Sequence, residues 1–343
     1  MIGTTSGNAR TARHVTAKQK RPAMHKAIVV PQSGGPEILR YEDVALPQPG
    51  PREILVKVAA AGVNFIDTYQ RGGVYPMSYP FIPGSEAAGT VVSAGLESGF
   101  REGDRVATAE GGGAYAEYML MDAEVALPVP AGIGDDTAAA VLLQGITAHY
   151  LCNSTFPVQE GQTALVHAGA GGVGLLLIQL LKAKGATVIT TVSTEEKEQL
   201  ARGAGADHVL RYDGFTGQVR ALTGGQGVDV VYDGVGQATF DGSLACLRPR
   251  GMMVLFGAAS GQVPPFDIQR LNSSGSLFLT RPTIAHYLLT PEERQWRARE
   301  LFDAVLAGKL DVRIGQTYPL AEASRAHADL EGRKTTGKVL LVP

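Results

Sequence analysis

Cysteine is scarce in this chain. Its 343 residues hold two, Cys152 and Cys246, far apart in sequence. That count excludes a disulfide framework and a cysteine-rich zinc site. Excess charge is also missing. A formal net charge of −2 gives no electrostatic reason to expect nucleic acid or a membrane surface as partner. Long apolar runs are absent, since the stretch around Val173–Leu181 is too short to span a bilayer. There is no secretory h-region, and with so few cysteines a reducing, cytoplasmic setting is the simplest expectation. Repeats and low-complexity tracts are lacking as well. Acidic residues are missing from positions 1–23, which carry Arg10, Arg13, Lys18, Lys20 and Arg21. That segment reads as a disordered basic leader or the product of an upstream start codon. An organelle-targeting segment shares its composition.

What is abundant is glycine, at 43 residues, much of it just after apolar, β-branched runs. Such placement marks strand-to-helix turns and an α/β protein, and the length suits two domains. From Met24 to about Thr147 the pattern is β-rich, with strands expected at Lys26–Val30, Ile54–Ala60, Gly89–Ala94 and Tyr115–Met121. A helix is expected over Asp136–Leu151, capped by Asp135 or Asp136. After Gly161, six strands alternate with helices: Thr163–His167, Thr187–Val192, His208–Arg211, Val228–Tyr232, Met252–Phe256 and Ser276–Thr280. These predict a Rossmann-type, doubly wound parallel sheet. The charged helix Glu292–Ala307 and the strand Lys338–Val342 then return to the first domain. The division expected is 24–147 with 286–343 as a substrate domain, and 148–285 as a dinucleotide domain.

The sharpest motif is Gly169-Ala-Gly171-Gly172-Val173-Gly174, directly after the strand Ala164–His167 and opening a helix. Glycine there lets the backbone approach a pyrophosphate, and free N–H groups at the helix start favour its charge. The second strand ends in Thr191-Val-Ser193-Thr194, without the carboxylate that usually holds a ribose 2′-hydroxyl. Ser193, Lys197 and Tyr212, with Arg211 beside it, leave room and charge for a 2′-phosphate. NADPH is therefore expected over NADH. Glu195 and Glu196 fit the start of the next helix, where its dipole favours them.

Asn64-Phe-Ile-Asp67-Thr-Tyr69 and Arg71-Gly-Gly-Val-Tyr75-Pro, followed by Pro83-Gly-Ser85-Glu86-Ala-Ala-Gly89, Gly103-Asp-Arg-Val106 and Gly113-Ala-Tyr115-Ala-Glu117, form a series. With His167–Gly174, Val231–Gly236 and Thr280-Arg-Pro282, it resembles the zinc-independent, zeta-crystallin-like quinone oxidoreductases of the medium-chain dehydrogenase/reductase superfamily. The resemblance runs from about Met24 to the C-terminus and implies a GroES-like substrate domain beside the Rossmann domain. Zinc-dependent cousins carry Cys at the position of Asn64 and His at that of Ser85. Neither Asn nor Ser is a usual zinc ligand, so no metal is expected. Without a Lewis acid to polarise an alcohol, acceptors that take hydride readily, such as quinones and enones, are favoured.

By resemblance the acceptor lies between the domains. Asn64 is the first choice as hydrogen-bond donor to its oxygen, with Tyr69 and Tyr75 orienting the ring or donating a second bond. Each has a plainer alternative: Asn64 satisfying a turn, Tyr69 packing. Asp67 suits capping or pairing with Arg71, and Glu86 organising the cleft. Gln144 lies on the helix leading to the nicotinamide pocket, where some relatives carry Lys. Phe256-Gly257 and Gly234 end the strands on which that ring would rest. Arg333, ahead of Lys334 and Lys338, is the choice for a second 2′-phosphate cation. No general acid is assigned, since water can protonate a hydroquinone.

The expected activity is hydride transfer from NADPH to a small quinone. The rivals are a 2-alkenal or enone reductase on the same scaffold and a non-enzymatic NADPH-binding structural protein. RNA binding lacks a basic patch with interleaved aromatics. The resemblance implies a homodimer or homotetramer, and the sixth strand is an edge that needs covering.

Overall fold

The computed structural model describes Gly3 and residues 23–343, so the leader expected at 1–23 lies outside the described residues apart from Gly3 and Ala23. Short apolar runs broken by Pro and Gly form β1 (Met24–Val29), β2 (Arg40–Ala45), β3 (Glu53–Val63), β4 (Glu86–Ala94), β5 (Arg105–Thr108), β6 (Tyr118–Asp122) and β7 (Leu127–Pro128). Helix α1 (Phe65–Arg71) lies between β3 and β4. Pairing is antiparallel: β1 with β2, β3 with β4 and β6, and β5 with β4 and β7.

Helix α2 (Asp135–Tyr150) follows. Its cap is Gly134, not either expected aspartate. Asp135 is drawn aside by the Arg105 guanidinium at 3.0 Å, and Asp136 accepts the Thr137 N–H at 2.7 Å. Both still lie in the first turn, where the helix dipole favours them. The run Ala138-Ala-Ala-Val-Leu142 is wholly buried and packs in one cluster with Ala60 and Ala88 on one side and Leu177 and Leu301 on the other. Small side chains let backbones approach closely, so α2 packs on β3 and β4 of one sheet and on α3, which covers the other.

The alternating segment gives β8 (Thr163–Val166), α3 (Gly172–Ala183), β9 (Thr187–Thr191), α4 (Glu195–Gly203), β10 (His208–Leu210), α5 (Phe215–Leu222), β11 (Val228–Asp233), α6 (Phe240–Cys246), β12 (Leu247–Leu255), α7 (Gln269–Ser273) and β13 (Phe278–Thr280). All six strands are parallel in the order β10-β9-β8-β11-β12-β13, the doubly wound sheet that the sequence predicts. The order reverses between β8 and β11. In such sheets ligands bind in the crevice outside the strand ends at this reversal.

Helix α8 (Pro291–Leu306), β14 (Ile314–Pro319), α9 (Ala323–Glu331) and β15 (Lys338–Val342) complete the chain. β15 pairs parallel with β14 and antiparallel with β3. Just before it, Gly337 bridges to Gly171 and donates its N–H to the Ala170 carbonyl at 3.0 Å. The C-terminal segment thereby touches the glycine-rich loop as it enters the other sheet.

Candidate active site

The glycine-rich loop turns between β8 and α3, and its glycines differ in what they allow. A Cβ on Gly169 would overlap Thr190, and one on Gly174 would overlap the Ala168 carbonyl. These two are needed for packing. A Cβ on Gly171 would meet the Ala168 carbonyl at a tight 3.2 Å and no other atom within 4 Å. Gly172, Val173 and Gly174 begin α3, where an α-helix leaves N–H groups without intrahelical acceptors. Gln144 lies against Gly172, in a small cavity shared with Gly337 and Lys338.

At the tip of β9, Ser193 is exposed and Thr194 caps α4 by accepting the Lys197 N–H at 3.3 Å. The Lys197 ammonium donates to the Arg333 carbonyl at 2.7 Å. Burial lowers the Lys197 pKa, with Arg333 as a further cationic influence. Arg333 is exposed and has φ 57°, a left-handed backbone uncommon for a non-glycine residue and found often at functional sites. Burial raises the Tyr212 phenol, and its ring stacks on His167 at 6.2 Å. Arg211 is turned away by Glu198, at 3.0 Å. Ser193, Lys197, Tyr212 and Arg333 thus come to one end of the crevice, with the Glu196 carboxylate near enough to act on Lys197 in the opposite sense to burial.

Beneath the loop runs a buried polar chain. Asp233 accepts from the N–H groups of Val235 and Gly236 and from the hydroxyls of Thr239 and Ser243. Ser243 meets His167 Nε2 at 2.9 Å, and His167 Nδ1 meets Thr191 at 2.7 Å. Burial lowers the His167 pKa. The chain secures Gly234 at the end of β11, and a Cβ on Gly234 would overlap the Phe256 ring.

Across the crevice, α1 carries the residues expected to face an acceptor. Asn64 caps this helix, and its N–H donates to Asp67 at 2.8 Å. Tyr69 accepts the Ala258 N–H at 3.1 Å, joining α1 to the backbone just beyond Phe256-Gly257. Burial raises the Tyr69 phenol, with Arg281 acting in the opposite direction. Tyr75 is exposed, edge-on to Tyr69 at 6.0 Å. Asn64 is 3% exposed, and its amide is engaged by Glu86, Lys338 and the Gly62 carbonyl.

Of the two structural roles expected of Asp67, it takes the first, capping α1, and not the second, since Arg71 binds Glu331 at 2.7 Å and His327 at 2.9 Å. Asp67 instead accepts the Tyr115 hydroxyl at 2.9 Å, and its Oδ1 is buried without a hydrogen-bond partner. Lys338 is no phosphate cation, because its ammonium is buried against Glu86. Sequence reasoning missed Tyr115 and His327, which join α1 to α9. Both lie far along the chain from α1, and no local spacing announces them.

The family model described as the alcohol dehydrogenase GroES-like domain matches residues 50–131, and that of the zinc-binding dehydrogenases matches 172–303. Together with the parallel sheet and its loop, these place the chain in the medium-chain dehydrogenase/reductase class. A quinone oxidoreductase of Pseudomonas aeruginosa is 46% identical, over 93% of this chain and all of that one. A 2-haloacrylate reductase of Burkholderia sp is 42% identical, over 93% of this chain and 99% of that one. A mycobacterial protein solved in complex with NADPH is 53% identical, with a TM-score of 0.91 over 94% of this chain and all of that one. The chain belongs to the quinone oxidoreductase family, the zeta-crystallin-like branch of that class. Although one family description names zinc, the described residues contain no group of three or more His, Cys, Asp or Glu able to hold a metal ion.

Proposed function

We propose that the protein is an NADPH-dependent quinone reductase, passing hydride to a small quinone or related conjugated carbonyl without a metal. One observation carries the reading. Tyr69 of α1 reaches Ala258 at the end of the β12 segment, so a dinucleotide in the crevice and an acceptor over α1 would meet at that point. The residues present fit such a dinucleotide: the glycine-rich loop leads straight into the start of α3, and the Lys197 ammonium meets the Arg333 backbone at the β9 tip.

In this reading Gly169, Gly171, Gly172, Val173 and Gly174 form the pyrophosphate turn, and Ser193, Lys197, Tyr212 and Arg333 hold the 2′-phosphorylated ribose. Gln144, Gly234, Phe256 and Gly257 border the nicotinamide. When bound, NADPH supplies the hydride. Asn64, Tyr69 and Tyr75 orient the acceptor, and donors aimed at its oxygen favour the charge that develops there. Protonation is left to water. Residues 24–147 and 286–343 then make the substrate domain and 148–285 the dinucleotide domain.

The similarity to a 2-haloacrylate reductase favours a second reading, an enone or alkenal reductase with the same nucleotide site. A non-enzymatic NADPH-binding role is the third. Among the described residues, no helix is long and apolar enough to cross a membrane. We infer a cytoplasmic homodimer or homotetramer, with the edge strand β13 and its exposed Phe278 as the contact.

The test is initial-rate NADPH oxidation with 1,4-benzoquinone, 9,10-phenanthrenequinone, 2-hexenal and 2-chloroacrylate in parallel. Fastest turnover of the quinones is expected. Faster turnover of hexenal or chloroacrylate would replace this reading with the second, and NADPH binding without turnover would leave the third.

A further inference from the structure

Glu86 at the start of β4 and Lys338 at the start of β15 form an ion pair that is essentially unexposed, at 0% and 1%. The Lys338 ammonium also donates to Asn64 Oδ1 at 2.8 Å. Glu86 Oε2 accepts from Asn64 Nδ2 at 2.9 Å, and its Oε1 accepts the N–H of Leu143, the residue before Gln144, at 2.8 Å. Gly62 makes the packing possible, because a Cβ there would overlap the Glu86 carboxylate and the Lys338 stem. One residue before Lys338, Gly337 is bonded to the glycine-rich loop. The pair therefore joins the acceptor helix, the Gln144 helix and the nucleotide loop.

Stability alone gives little reason to bury such a pair. Removing two charges from water costs several kcal/mol per ion, and well-packed apolar replacements are often as stable or more so. Orientation gives a better reason. The two ends of an asparagine amide have nearly the same shape and differ in hydrogen bonding. An ammonium cannot accept and a carboxylate cannot donate, so a flipped amide would lose both bonds.

We propose that Glu86 and Lys338 are positioning residues for the reduction. They fix the Asn64 amide with its oxygen toward Lys338 and its NH2 toward Glu86. The second amide N–H donates to the Gly62 carbonyl over 3.3 Å, the longest of the amide's bonds, and it is this N–H that the acceptor oxygen would take over from that carbonyl. This inference rests on the reading of Asn64 as that donor.

The experiment compares Asn64→Ala, Lys338→Met, their combination, and Glu86→Gln/Lys338→Met, with 1,4-benzoquinone as acceptor. Asn64→Ala and Lys338→Met are each expected to lower kcat by about tenfold or more, with the Kd for NADPH, read by fluorescence, held within about threefold. Their combination is expected to be no slower than either alone, as for residues acting as one unit. Glu86→Gln/Lys338→Met leaves no buried charge. It is expected to melt at or above the temperature of Lys338→Met while staying as slow, because an uncharged pair does not select the amide orientation. Wild-type turnover in that double variant would overturn the proposal. So would losses that multiply when Lys338→Met and Asn64→Ala are combined. Wild-type kcat in Lys338→Met, with a slow Asn64→Ala, would defeat the positioning role and leave the donor reading intact. Wild-type kcat in Asn64→Ala would defeat the donor reading itself.

Discussion

The two sides of the crevice are built differently. On the nucleotide side the groups that face the ligand are backbone and exposed or half-buried side chains, the glycine-rich loop, Ser193, Lys197 and Arg333, with the buried chain from Asp233 to His167 beneath them. The acceptor side rests on buried polar groups, Asn64, Asp67, Glu86, Tyr115, His327 and Lys338. Exposed groups act on a ligand one by one, and removing one costs little stability. Buried groups depend on each other, because a lost partner leaves an unpaired polar atom in a low dielectric. Substitutions of the buried groups that hold Asn64 are therefore expected to destabilise the fold, while substitutions of the exposed nucleotide-side groups change affinity in a folded protein.

The largest effect is expected from Glu86→Ala, which strands the Lys338 ammonium. A loss of about 3–5 kcal/mol in urea-unfolding free energy is predicted. A loss within 1 kcal/mol of zero would mean that water reaches the ammonium and that the two sides do not differ in this way.

Next comes a pH effect. His327 is pushed from 6.5 down to about 3, first by burial and then by Arg71. Its contribution is full above pH 6.5 and is lost as pH falls toward 3. Asp67 is raised from 3.8 to about 6, chiefly by burial. Its contribution runs the other way, present below about pH 4 and lost as pH rises through 6. Between pH 4 and 6 the two nearly cancel, so this pair leaves wild-type stability almost flat there. Asp67→Asn removes one side, and its stability should fall on acidification by about 1.4 kcal/mol per pH unit across that window. His327→Gln should fall on alkalinisation instead. Parallel stability profiles for the two variants would refute the pairing.

Smaller effects belong to the nucleotide side. Lys197→Ala and Arg333→Ala should each weaken NADPH binding about tenfold, leave NADH binding unchanged and keep the wild-type Tm. Equal weakening for both nucleotides would move these cations away from the 2′-phosphate. The smallest effect, back on the acceptor side, is that of Tyr69→Phe. It removes one hydrogen bond across the crevice, worth about 1 kcal/mol, and should lower kcat/KM for quinone a few-fold.

The same contrast explains what the sequence made legible. The glycine-rich turn and the six strands depend on residues adjacent in the chain, so spacing alone predicts them. The missing carboxylate after β9 is local too, and it points to the phosphorylated cofactor. The acceptor side depends on pairs such as Asn64 with Lys338 and Tyr115 with His327, hundreds of residues apart. The sequence offers Asn64 and Tyr69 as candidates. It does not say that the Asn64 amide is held on both sides, or that Tyr69 meets Ala258. Lys338 looks like one more cation of a basic tail until β15 carries it inward beside Gly62. Asp135 fails as a cap because Arg105, thirty residues earlier, claims its carboxylate.

The most direct measurement is the initial rate of nicotinamide oxidation with 1,4-benzoquinone, NADPH and NADH compared at equal subsaturating concentration. A rate with NADPH at least about tenfold above that with NADH is predicted, the ratio that one good phosphate contact provides. Equal rates, a preference for NADH, or no turnover with either would contradict the account.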